Sequence, residues 1–236
     1  MNYGPNYSHL HNLDNTYREF VQFDVFAYPV PEGKSGQQVV DSLQRQVELL
    51  GAVKSGNFSV DCETYQSNLQ NDMIFLTFSP QRLVHILHNT EQPATCFSIL
   101  DTGTCLMADV MFEIFMNKLT HSKSAFYQQR KGFKIESKGQ RYELGDFFIK
   151  IGSVSLMSNF KGILVEVEYC PCVILNDCWN LLKEFMQSFM GNIVEAPPPY
   201  LKNKADTPYA PSDTVHQYLE HFNNFRKTVP IGQPSR

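Results

Sequence analysis

Two pairs of acids hold the positions in this chain best spaced for chemistry. Glu166 and Glu168 stand two apart in an extended-looking run. Alternate residues of a strand share a face, so both carboxylates project together while Ile163, Val165, Val167 and Tyr169 take the other side. Asp61 and Glu63 repeat the pattern. Acids paired in this way can hold a divalent metal, which polarises a phosphoryl oxygen and supplies hydroxide for hydrolysis. Such a centre also needs cations to hold the phosphates. The position two beyond Glu168 is Cys170, and residues 162–170 contain no Lys or Arg. The expectation is therefore a solvated polar face, with a metal-dependent tunnel-type phosphohydrolase built on Glu166 and Glu168 as the alternative.

The other constellations are thinner. Gly33-Lys34-Ser35 resembles the end of a phosphate-binding loop, but Tyr28 stands where that loop requires its first glycine. Ser35 is more simply a helix cap. Cys170-Pro171-Cys172 with Cys178 is the densest thiol group, yet a closed zinc site needs four ligands and no histidine occurs between His121 and His216. His85 and His88 would point to opposite faces of a strand, His9 and His11 lie in a polar tail, and His216 and His221 do not share a helical face. No serine sits in a nucleophile elbow, and no cysteine carries a thiol-protease signature. The reading is a chain with no catalytic, metal or cofactor-binding residues and no cofactor.

The elements that must position these residues are legible from periodicity. Four helices are expected: about Gly36 to Leu50, with Ser35 as N-cap and Gly51 at C′; one after Asp109; one from Asn176 or Asp177 to Gly191; and one from Ser212 or Asp213. Their apolar stripes include Val39, Leu43 and Val47 in the first, and Met111, Phe112, Phe115, Met116 and Leu119 in the second. Strands are expected near 24–30, 57–64, 73–78, 83–88, 94–100, 104–108, 133–138, 141–151 and 162–170. Hairpin turns fall at Asp101-Thr102-Gly103 and Asn159-Phe160-Lys161-Gly162. Gly145 and Gly152 read as in-strand glycines that mark a bulge or a barrel bend. Many short strands without strand–helix alternation predict an α+β antiparallel sheet or barrel with helices to one side.

The run Met73 to Phe78 is apolar on both faces, unlike an antiparallel strand with one wet side. Its outer face should be covered by one of the chain's own helices or by another protein, and in the second case Ile74, Leu76 and Phe78 are the candidate partner-interface residues. Residues 1–22 form an expected disordered extension, 23–227 a single domain with a Pro-rich, extended connector at 195–211, and 228–236 a disordered tail.

Composition narrows the classes. The chain has 236 residues, a formal charge of -4 and 19% charged residues. A nucleic-acid binder would normally show a basic excess, and the stretch Arg130, Lys131, Lys134, Lys138, Arg141 lacks interleaved aromatic platforms. No run approaches twenty apolar residues and no apolar leader precedes the domain, so a soluble intracellular protein with six reduced cysteines is expected.

A specific resemblance adds to this. Pro29-Val30-Pro31-Glu32-Gly33-Lys34-Ser35 with Gln37-Gln38, then Val60-Asp61-Cys62-Glu63-Thr64-Tyr65, His88-Asn89 and Lys134-Ile135-Glu136, resemble the Mediator subunit 20 family in one register. Arg141-Tyr142, Asp146-Phe147 and Val165-Glu166-Val167-Glu168-Tyr169 continue it. It is densest through Pro171-Cys172-Val173, Asp177-Cys178-Trp179, Glu184-Phe185 and Gln187-Ser188-Phe189. Tyr209, Pro211, Asp213-Thr214, Gln217-Tyr218 and Arg226-Lys227 carry it onward. The resemblance implies an antiparallel β-barrel flanked by about four helices, related to the Mediator subunit 18 barrel and to those of tunnel triphosphatases. It further implies a non-catalytic nuclear subunit of the Mediator head module, supporting regulated RNA polymerase II transcription. The partners implied are subunit 18 in a heterodimer, subunit 8 through subunit 18, other head subunits and the RNA polymerase II machinery, with no membrane and no sequence-specific nucleic acid.

Overall fold

The computed structural model describes residues 22–68, 82–121, 126–130, 132 and 134–228. Its strands are β1 (Gln22–Tyr28), β2 (Val53–Ser67), β3 (Leu83–Asn89), β4 (Thr95–Leu100), β5 (Cys105–Asp109), β6 (Tyr127–Gln129), β7 (Ile135–Leu144), β8 (Phe147–Leu156) and β9 (Asn159–Tyr169). The helices are α1 (Gly36–Leu49), α2 (Met111–Thr120), α3 (Leu175–Met190), the short α4 (Pro199–Lys202) and α5 (Pro211–Lys227). All strand pairs are antiparallel, in the order β1-β9-β8-β7-β2-β3-β4-β5, with β6 on β2 beyond the end of β7.

The sheet is open, which corrects the expected barrel. Its end strands β1 and β5 do not pair among the described residues. The physical reason is α5, which runs across one face and contributes Val215, Tyr218, Leu219 and Phe222 to a core shared with Val25 of β1, Phe97 and Ile99 of β4 and Cys105 of β5. A helix fills the space that edge-to-edge closure would use. At the β1 edge α5 supplies hydrogen bonds as well: Val25 N donates to Gln217 Oε1 at 3.0 Å, and His221 Nε2 lies 2.9 Å from Val25 O.

Helices cover both faces, not one. On the face opposite α5, the stripe Val39, Val40, Leu43 and Val47 of α1, with Leu182, Met186 and Phe189 of α3, packs on Ile149, Ile151, Ile163, Val165 and Val167. Ser35 starts α1 with a reciprocal capping box to Gln38, and Gly51 follows it at φ 100°. Farther along, Met116 of α2 closes a small core with Tyr65, Val84, Ile86 and Cys96. The broad apolar face expected of α2 is only partly used, since Met111, Ile114 and Phe115 stay exposed.

Two hairpins differ from expectation. Gly145, at φ 56°, turns β7 into β8 and is not a bulge within one strand. The β8–β9 turn is Met157-Ser158, both at positive φ, so Asn159 to Lys161 already belong to β9. The 195–211 segment is not an extended tether throughout: it carries α4, and Leu201 and Tyr209 are buried with Leu175. The run with Ile74, Leu76 and Phe78 lies outside the described residues.

Candidate functional site

Of the acids singled out by spacing, Glu63, Glu166 and Glu168 are buried and Asp61 is half-buried. Glu166 and Glu168 do share a face, but it is the face under α5, and they are only 1% and 3% exposed. A solvated polar face is thus corrected. The absent cation is present too, on the next strand: Lys150 of β8 pairs in register with Glu166 of β9 and is 2% exposed. Arg141 of β7 is in register with Lys150, so Arg141, Lys150 and Glu166 form a row across three strands. Sequence reasoning looked for the base along β9. The available signal was a lone lysine inside Phe147-Phe148-Ile149-Lys150-Ile151, which the apolar neighbours predict to be buried and therefore paired.

The geometry around Lys150 is closed. Its Nζ donates to Glu166 Oε1 at 2.8 Å and also contacts Glu91, from the turn at 90–94 between β3 and β4. Tyr218 of α5 donates its hydroxyl to Glu166 Oε2 at 2.5 Å. Arg141 reaches Glu91 at 3.5 Å and Glu143 at 3.3 Å, with its guanidinium 4.3 Å from the Phe148 ring centre. Burial would lower the Lys150 pKa, yet Glu166, Glu91 and Glu168 outweigh it and hold the ammonium more firmly protonated than usual. Burial, then the charge of Glu166, pushes the Tyr218 phenol well above its ordinary range, so it remains a donor. What this arrangement does chemically is neutralise charge: one ammonium and one phenol satisfy a carboxylate.

Above the row lies a cleft of about 360 Å³ between the first turns of α5 and the 90–94 turn. Lys150, Glu166 and Glu168 line it together with apolar side chains.

The second acid pair lies on the opposite face. Glu63 accepts from Tyr65 OH at 3.0 Å, Gln129 Nε2 at 2.9 Å and Lys134 Nζ at 3.1 Å, while Tyr65 OH also lies 3.1 Å from Asn117 of α2. These contacts tie β2, β6 and α2 together. Asp61 sits 3.7 Å from Lys134, and burial raises its pKa against that cation's opposing pull. Among the described residues no three His, Cys, Asp or Glu side chains are grouped to hold a metal, so the phosphohydrolase alternative gains no support.

The remaining candidates fall into structural places. His85 and His88 take opposite faces of β3, His85 Nδ1 lying 3.0 Å from Thr64 Oγ1. The six cysteines are free; Cys172 and Cys178 point their thiols at Ile174 O, at 3.1 and 3.5 Å. Burial, then Cys172, pushes the Cys178 thiol far up, which makes it unreactive. In the basic stretch, Lys134 pairs with Glu63, Lys138 with Glu136 at 2.6 Å and Arg141 with Glu91. No described helix is long and apolar enough to cross a membrane.

Comparison with known proteins matches the same region. A family model described as the TATA-binding related factor (TRF) of subunit 20 of Mediator complex matches residues 21–223. The Mediator of RNA polymerase II transcription subunit 20 of Anopheles gambiae is 48% identical over 219 residues, covering 86% of this chain and 95% of that protein. Those of Gallus gallus and Homo sapiens are 49% and 45% identical over 205 and 209 residues, each covering 86% of this chain and 94% of the relative. Among solved structures, the PH1012 protein from Pyrococcus horikoshii OT3 has a TM-score of 0.42 at 11% identity, over 77% of this chain and 98% of that one. That likeness is too slight to inform function.

Proposed function

Because the chain belongs to the Mediator subunit 20 family, we propose that it is a non-catalytic, interface-forming subunit of the Mediator head module, working in the nucleus as a heterodimer with Mediator subunit 18. In this reading subunit 8 joins through subunit 18, other head subunits pack beyond, and the assembly couples regulation to the RNA polymerase II machinery. A kinship of fold with subunit 18 and a single folded unit over 23–227 are parts of the same proposal.

The observation that carries the interface role is an exposed apolar edge. β5 ends the sheet with Leu106 and Met107 exposed, and α2, which follows it directly, exposes Met111, Ile114 and Phe115. Among the described residues no strand pairs with the outer edge of β5, and such an edge beside exposed large apolar side chains invites a partner, because strand groups and apolar surface left to water are costly. The run with Ile74, Leu76 and Phe78 is proposed from sequence alone as a further contributor.

The test is purification from nuclear extract through a tag on this chain. Stoichiometric recovery of subunits 18 and 8 is expected, and Phe115→Asp should reduce it while the purified chain keeps its melting temperature. Recovery of the chain alone, from nuclei in which Mediator is intact, would sink the proposal.

A further inference from the structure

We propose that the cleft between α5 and the 90–94 turn is a docking pocket for one cationic side chain, arginine or lysine, presented on an apolar segment of a partner protein. The inference rests on the binding-subunit reading and adds a second, chemically selective contact on the α5 face of the sheet.

Size and lining come first. At about 360 Å³ the cleft falls in the range of pockets that enclose a small ligand or an anchoring side chain. Its walls include Val60, Leu87, Pro93, Phe97 and Val215, which favour apolar flanking groups.

Charge then decides what the centre of the occupant must carry. Among the described residues that line the cleft, three carry carboxylates, Glu91, Glu166 and Glu168, and Lys150 carries an ammonium. Arg141 offsets part of Glu91, but it is shared with Glu143. Counting these six groups leaves four acids against two bases. An anion entering the cleft would meet that surplus, and Lys150 is already held between two carboxylates. A purely apolar occupant would strip water from the acids and return nothing. A cation offsets the surplus, and low-dielectric walls strengthen its attraction by focusing the field. Glu91, with its side chain 14% exposed, is more open to solvent than the buried Glu166 and Glu168, and is the acid best placed to meet an incoming cation. The firmly protonated state of Lys150, set by Glu166, Glu91 and Glu168 against burial, reports the same negative field.

The experiment is an amide-resolved NMR titration of the ¹⁵N-labelled full chain. One probe is the capped peptide acetyl-Leu-Arg-Leu-amide; the second replaces arginine by citrulline, which keeps the shape and removes the charge. Saturable shifts at Ala94, Thr95, Thr214 and Tyr218 are expected with arginine, and binding at least about tenfold weaker with citrulline, as for loss of a charged hydrogen bond. Glu91→Gln should weaken the arginine peptide by a similar factor. Ala94→Trp, at the exposed mouth, should abolish those shifts without touching the charged row, and it keeps the test decisive if Glu91→Gln fails to fold. Equal binding of the two peptides, shifts mapping elsewhere, tighter binding of acetyl-Leu-Glu-Leu-amide, or no saturable shift at millimolar peptide would each overturn the proposal. None of these outcomes bears on co-purification with Mediator, so the two readings fail separately.

Discussion

Gln217 of α5 accepts a 3.0 Å hydrogen bond from the backbone N–H of Val25, on the outer strand β1. Its amide nitrogen donates in turn to Tyr209 OH at 3.0 Å, so the side chain is fixed at both ends. A helix side chain here does what a neighbouring strand would do in a closed barrel. Gln217→Leu keeps the volume and leaves the Val25 N–H buried without its acceptor, which costs about 1–3 kcal/mol. Urea denaturation should show the midpoint falling with little change in slope. An unchanged midpoint would mean that water readily replaces Gln217 at this edge.

Lys150 and Glu166 are a buried pair, and such pairs are better judged by breaking than by presence. Lys150→Met leaves Glu166 and Glu91 sharing the remaining donors in a nearly dry site, with an expected loss of about 3–5 kcal/mol. Adding Glu166→Leu removes the stranded charge, and the double variant should recover part of that loss although it has lost two groups. Denaturant midpoints of the two variants decide the matter. A double variant less stable than Lys150→Met would show that Tyr218 and Glu166 contribute more than the ion pair.

The contrast between what was legible and what was not follows from range. Ser35, Gly51 and Gly191 mark helix ends because capping is settled within a few residues, and α1, α3 and α5 lie within one or two residues of their expected bounds. Asp101-Thr102-Gly103 marks its hairpin because Gly103 takes φ 85°. Met157 and Ser158 do not advertise a turn, since neither residue type favours the positive φ it adopts, and Asn159 nearby misdirects the reading. Above all, the partner of Glu166 lies sixteen residues away on another strand. Only the β8–β9 register brings Lys150 opposite, and the burial of both depends on α5, a helix joined through the Pro-rich segment. Open sheet versus barrel had the same cause: alternation fixes the faces of a strand but not whether a helix will occupy the closing gap.

Gly139 faces Gly152 across β7 and β8. A Cβ at Gly139 would lie 1.9 Å from Ile151 O and 2.6 Å from Gly152 Cα, both backbone atoms that cannot swing aside. At Gly152 the nearest atoms are the Phe58 ring and the Ser137 hydroxyl, at 2.7 and 2.8 Å. Gly152→Ala should cost about 1–3 kcal/mol and Gly139→Ala more than that, since backbone separation costs more than side-chain rearrangement. Thermal melts of the two variants compare them directly. The reverse order would show that β7 and β8 part more easily than the core under α5 repacks.

His85 provides a pH prediction with a defined sign. It is buried on the α5 face beside Thr64, and its pKa falls to about 4, through burial first and then the charges of Arg226 and Arg130, with Asp101 opposing weakly. In the unfolded chain a histidine titrates near 6.5, so between about pH 6.5 and 4 the unfolded state binds the extra proton. Stability is therefore full above pH 6.5, declines as pH falls, and stops declining for this group near pH 4. Between pH 7 and 5 the expected loss is about 2 kcal/mol from His85 alone. His216 and His221, whose pKa values burial also lowers, act in the same direction, so the total slope does not isolate His85. His85→Gln removes only its share: unfolding free energies of both proteins at pH 7 and pH 5 should show the variant losing about 2 kcal/mol less. Parallel losses would mean that the imidazolium is accommodated in the fold, with Asp101 or entering water offsetting Arg226.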